Sequence, residues 1–106
     1  MEGAFRVKAD QMAMAAEEAA GVLKALSNPS RLLILCQLAE GEHTVGEIET
    51  ALDLGQAYVS QQLARLREEG LVVATRDGRQ MRYRIADNRV APVIAAIYAE
   101  YCPQPI

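Results

Sequence analysis

Hydrophobic positions recur at helical spacing through most of this chain and alternate in one short region. In ADQMAMAAEEAAGVLKAL, Met12, Ala15, Ala16, Ala19, Leu23 and Leu26 fall at helical spacing, and the alanines permit close helix approach. SNPSRLLILCQLAEGE carries a start and a stop: Asn28 can cap, Pro29 suits the first helical position, and Gly41 can end the helix. Leu32 to Cys36 is apolar without interruption, which predicts burial on several faces.

Thr44-Val45-Gly46-Glu47 has the capping-box pattern, in which Thr and Glu satisfy each other's backbone N–H groups. Val45, Ile48 and Leu52 then form the inner face of a short helix. Asp53 to Gly55 make a turn, and a second helix starts near Gln56 with an inner stripe of Val59, Leu63 and Leu66. At about 100° per residue, Tyr58, Gln61, Gln62 and Arg65 are expected on the outward side. LVVATR and RQMRYRI flank Asp77-Gly78, the pairing expected of a type I′ hairpin. Met81, Tyr83 and Ile85 alternate there with Gln80, Arg82 and Arg84. The final helix, VAPVIAAIYAEYC, has Asp87 or Asn88 as its cap, Pro92 near its first turn and a stripe of Val90, Ile94, Ile97 and Tyr101, with Pro103 and Pro105 ending it.

Helix, turn, helix and basic-tipped hairpin, in that order, predict a mainly α winged helix-turn-helix. About five helices and a two-stranded wing are expected in a single domain over residues 1–106. The length fits one domain. With four Tyr, one Phe and no Trp, the core must rely on aliphatic side chains, which suits packed helices.

Charge sharpens the functional reading. The whole chain carries −3, yet Gln56 to Ile85 holds six arginines against Glu68, Glu69 and Asp77, a local +3. Because screening confines fields to roughly 10 Å at moderate salt, a basic stripe can hold phosphate on an acidic protein. Gln56, Tyr58, Ser60, Gln61, Gln62 and Arg65 are therefore candidates for reading double-stranded DNA in the major groove. Gln pairs with adenine edges, Arg with guanine, and Ser and Tyr with phosphates or bases. Arg76, Arg79, Gln80 and Arg82 on the wing are candidates for adjacent phosphate or the minor groove. An outward charged face is often only solvated, and a basic hairpin can simply protect a sheet edge. The concentration of arginine on these two elements favours DNA, with a protein-binding winged helix as the alternative.

Other classes find little support. MEGAFRVKAD lacks the apolar core of a signal peptide, and no apolar run approaches the roughly 18 residues of a membrane span, so a cytoplasmic chain with no membrane partner is expected. No His neighbours either Cys in sequence and no phosphate-binding Gly loop exists, so no enzyme and no cofactor are expected. One His and two Cys cannot supply four N/S ligands for structural zinc. Read alone, Cys36 on an apolar helix is a small hydrophobe, and Cys102 at a helix C-terminus meets a dipole that disfavours thiolate.

From about Ala16 to Cys102 the chain resembles ArsR/SmtB-type repressors. LKALSNPSRLLILCQLAEGE looks like the family's core signature, VSQQLARLREEGLV like its recognition helix, and RDGRQMRYRI like its wing. The resemblance implies a homodimer built on the first and last helices that represses promoters at inverted-repeat operators. Gly55 stands where relatives often place a capping Ser, a change that costs only a few tenths of a kcal/mol. The family's metal-sensing patterns are missing: Glu42 to Glu47 has no Cys-x-Cys, the last helix has no His, and the sole His43 precedes a capped helix as a surface residue. Cys36 and Cys102 instead look like the thiol pair of the persulfide-sensing SqrR and BigR group. That likeness implies that the two react with sulfane-sulfur donors such as persulfides, close a di- or polysulfide bridge and release DNA. Peroxide or a thiophilic metalloid, sensed through the same thiols, is the alternative inducer.

Overall fold

Two side-chain caps set helix starts where the sequence places them. The computed structural model describes residues 8–86 and 89–102. After α1 (Ala9–Leu26), the Asn28 side chain accepts a hydrogen bond from the Arg31 N–H and starts α2 (Pro29–Ala39) with proline in its first turn. A two-residue strand β1 (His43–Thr44) leads into α3 (Val45–Leu52). Its capping box is complete: the Glu47 N–H donates to Thr44 Oγ1 at 3.1 Å, and the Thr44 N–H donates to Glu47 Oε1 at 2.9 Å. Asp53, with φ 55°, closes α3 in the left-handed conformation that a short polar side chain tolerates. The turn through Gly55 then opens α4 (Gln56–Glu68).

A Schellman motif ends α4 and fixes where the wing begins. The Leu71 N–H reaches the Leu66 carbonyl at 2.9 Å, and the Gly70 N–H reaches that of Arg67 at 3.0 Å. Gly70 supplies the required positive φ of 78°. Leu66 and Leu71, both buried, accompany the reversal. Strand β2 (Val72–Asp77) therefore leaves the recognition helix at a set angle and pairs antiparallel with β3 (Gln80–Ile85).

The sheet departs from expectation in two ways. It has three strands in the order β1-β3-β2, because His43 and Thr44 pair with Tyr83 and Arg82. A two-residue strand is too short to show a periodicity. The hairpin turn also lies one residue later than the Asp-Gly signal suggests: Asp77 pairs with Gln80, so Gly78 and Arg79 form the loop. Only Gly78, at φ 66°, has a positive φ there, the pattern of a type II′ turn rather than I′.

The core gathers Ile34, Leu35 and Leu38 from α2, Ile48 from α3, the Val59, Leu63 and Leu66 stripe from α4, and Val90 and Ile94 from α5 (Val90–Tyr101). Burying a side chain of this kind contributes about 1.5–3 kcal/mol relative to exposure. Helix α2 is not buried on every apolar side, since Leu33 lies 48% exposed. Tyr101, expected on the α5 stripe, stands outside it at 84% exposure. Helix α1 buries Ala25 and Leu26 in its own subunit's core and packs Val22 against it, while Met12, Met14 and Leu23 face outward. The proposed caps Asp87 and Asn88, and the terminators Pro103 and Pro105, lie outside the described residues.

Candidate functional site

Helix α4 presents one polar face. Tyr58, Ser60, Gln61 and Arg65 are exposed on the side away from the buried Val59, Leu63 and Leu66, and Gln56 is exposed as the first residue of the helix. Gln62 corrects the expectation made for it. It is 8% exposed and accepts a hydrogen bond from Arg31 Nη1 at 3.4 Å through Oε1. The reason is geometric: at 100° per residue Gln62 lies about 40° from Leu66, on the edge of the buried stripe. Its amide oxygen faces α2 and finds its donor there.

Arg31 is the residue that sequence reading passed over. Its Nε also donates to the Ala25 carbonyl at 2.9 Å, so one guanidinium ties the end of α1 and the start of α2 to α4. The available signal was a single charged side chain next to an unbroken apolar run. Such a residue, held near a core, needs partners.

The wing divides its arginines between internal and outward roles. Arg82 Nε donates to Asp77 Oδ2 at 3.1 Å, and Arg82 Nη1 lies 3.9 Å from Glu47 Oε1. The Asp77 hydrogen bond raises the Arg82 pKa above its already high ordinary value, so the guanidinium stays charged. Arg76 Nη1 donates to the Gly78 carbonyl at 3.2 Å, shaping the tip. Exposed Arg79 sits in the two-residue loop and, among the described residues, engages no partner, as is true of Arg65 on α4. Gln80 is exposed at the foot of the loop.

Sixty-six positions apart in sequence, Cys36 and Cys102 line one cleft of about 500 Å³ between α2 and α5. Both thiols are free; Cys36 is half-buried and Cys102, which caps the C-terminus of α5, is exposed. Leu33, Leu52 and Ile94 supply apolar walls, and Glu40 stands one helical turn beyond Cys36. Burial pushes the Cys36 thiol pKa above its ordinary value, and the neighbouring Cys102 and Glu40 add to that shift. His43 lies away from this cleft in β1, with Nδ1 2.9 Å from the Gly41 carbonyl oxygen. Among the described residues, no three His, Cys, Asp or Glu side chains are grouped so as to hold a metal ion. No helix of the described residues is long and apolar enough to cross a membrane.

Known proteins share this fold. Residues 28–73, from the α2 cap into β2, match the family described as bacterial regulatory protein, arsR family. The biofilm growth-associated repressor of Agrobacterium fabrum is 47% identical over 87 residues, which cover 82% of this chain and 74% of that one. The crystal structure of the transcriptional repressor BigR from Xylella fastidiosa superposes with a TM-score of 0.84 at 41% identity, over 92% of this chain and all of the other. A homodimeric winged helix-turn-helix DNA-binding domain from Mycobacterium bovis, solved in solution, gives a TM-score of 0.73 at 38% identity, over 94% and 89% of the two chains. Set beside an exposed polar recognition helix and an arginine-tipped wing, these similarities establish that the chain belongs to the ArsR family of DNA-binding transcription regulators.

Proposed function

We propose that this protein is a homodimeric repressor of inverted-repeat operators that lets go of DNA when a sulfane-sulfur donor links Cys36 to Cys102. The observation that carries the reading is the shared cleft: residues far apart in sequence bring the only two cysteines to one cavity between the core helix α2 and the last helix α5. A direct disulfide requires Cα atoms within about 7 Å, whereas each inserted sulfur extends the reach and favours sulfur donors over peroxide.

The dimer follows from what one subunit leaves uncovered. Met14 at 80%, Leu23 at 58%, Tyr98 at 50% and Tyr101 at 84% exposure put large apolar area on α1 and α5. Patches of that kind mark association surfaces, and the Mycobacterium bovis relative is homodimeric. In this arrangement Gln56, Tyr58, Ser60, Gln61 and Arg65 enter the major groove, while Arg76, Arg79, Gln80 and Arg82 meet neighbouring phosphates and edges. Two reading helices must sit about 34 Å apart to enter successive grooves. A bridge from α2 to α5 pulls on the dimer helix, and a coupling of about 1–3 kcal/mol is enough to switch occupancy.

The test is a gel shift with operator DNA, run with a persulfide donor and intact-mass measurement. Wild type should release DNA as the protein mass rises by whole sulfur atoms. Cys36→Ser and Cys102→Ser should bind the operator but hold it when the donor is added. Normal release by either variant refutes the paired-thiol switch, and a plain disulfide as the sole product points to an oxidant as the inducer.

A further inference from the structure

The cleft that holds the thiols is built from the negative ends of two helices. The last turn of α2 carries Cys36 and leads to Glu40, while the last turn of α5 leads to Cys102; both turns line the same cavity. Unpaired carbonyls at a helix C-terminus amount to roughly half a negative charge. Glu40 adds a full one, and no Lys, Arg or His is among the described residues that line the cavity. Leu33, Leu52 and Ile94 make the remaining walls receptive to an uncharged chain.

We propose that this cleft admits uncharged sulfane-sulfur donors in preference to anionic ones, and that Glu40 is the residue that sets the preference. The inference rests on the thiol-switch reading above and narrows its substrate class. Burial first, then Cys102 and last Glu40 raise the Cys36 pKa in these surroundings.

The chemistry balances for a dialkyl trisulfide. Cys36, as thiolate, attacks the central sulfur and expels one alkyl thiolate, leaving a mixed trisulfide on the protein. Cys102 then attacks the middle sulfur and expels the second alkyl thiolate. Two protein thiols and one trisulfide become a Cys36–S–S–S–Cys102 bridge and two alkyl thiols. The protein thiols are oxidised by two electrons, the donor is reduced by two, and the two thiol protons end on the released alkyl thiols.

Two trisulfides of equal chain length, one ending in hydroxyls and one in carboxylates, test this directly. Bridging is followed by intact mass as the gain of one sulfur and loss of two hydrogens. The hydroxyl probe should bridge wild type about fivefold faster at low ionic strength, a margin that shrinks as salt screens the cleft. Glu40→Gln should bring the two rates closer together. Comparing probes within each protein cancels any change in Cys36 thiolate content. Equal rates in wild type, or an unaltered ratio in Glu40→Gln, overturn the charge selection while the thiol switch stands. Failure of both probes to bridge Cys36 and Cys102 overturns the switch itself.

Discussion

Arg31 Nη1 lies 3.4 Å from Gln62 Oε1 and so grips the recognition helix from inside, on the face opposite its solvent-facing side chains. Adjacent glutamines on α4 thereby acquire different work: Gln61 is exposed, and Gln62 is part of the packing.

The first prediction separates them. Gln62→Ala leaves a half-buried guanidinium without that acceptor and should cost about 1–3 kcal/mol of stability in urea denaturation. Gln61→Ala should leave stability within about 0.5 kcal/mol and weaken specific operator binding by about 1–3 kcal/mol in titrations. Equal destabilisation by both would show that the internal contact carries no weight.

The wing yields a second contrast. Arg79 projects from the loop without a partner among the described residues, whereas Arg82 is held by Asp77 and Glu47. Arg79→Ala should lower affinity for all sequences alike and reduce the slope of log affinity against log salt by about 1. Arg82→Ala should change that slope less, because its charge is already partly answered within the protein. Salt titrations by fluorescence anisotropy decide the matter, and equal slope changes would mean that the Asp77 pair opens on DNA.

A third prediction concerns pH. Burial, with Cys102 and Glu40 behind it, raises the Cys36 pKa, so the folded protein holds this proton more tightly than the unfolded chain. The associated stability is fully present below the ordinary thiol value of 9.0 and is lost as pH rises through the higher folded value. Alkylation of Cys36 by iodoacetamide, resolved by peptide mass spectrometry, should therefore keep accelerating past pH 9.0. A plateau below that point would contradict the shift.

Much of this architecture is written locally. Asn28-Pro29 and Thr44 to Glu47 name their own caps, and Val59, Leu63 and Leu66 declare the inner side of α4 without outside help. What escaped depends on contacts across the fold. Gln62 is polar, so a wheel that sorts by polarity turns it outward, although its angle places it beside Leu66. The pairing of His43 with Tyr83 exists only once the wing has folded back, and the turn moves to Gly78-Arg79 because Asp77 keeps a ladder partner in Gln80. Cys36 and Cys102 were legible as a pair by resemblance; their common cleft required α2 and α5 to be packed side by side.

Helix α1 offers a last consequence. With Ala25 and Leu26 buried and Val22 partly so, all near its C-terminal end, this long segment draws little cohesion from within. In the proposed dimer, its melting would then be set by how many other copies are present, so the thermal midpoint should climb with protein concentration. Dilution alone would loosen the regulator before any inducer arrives, giving scarcity of the protein the same outcome as a chemical signal.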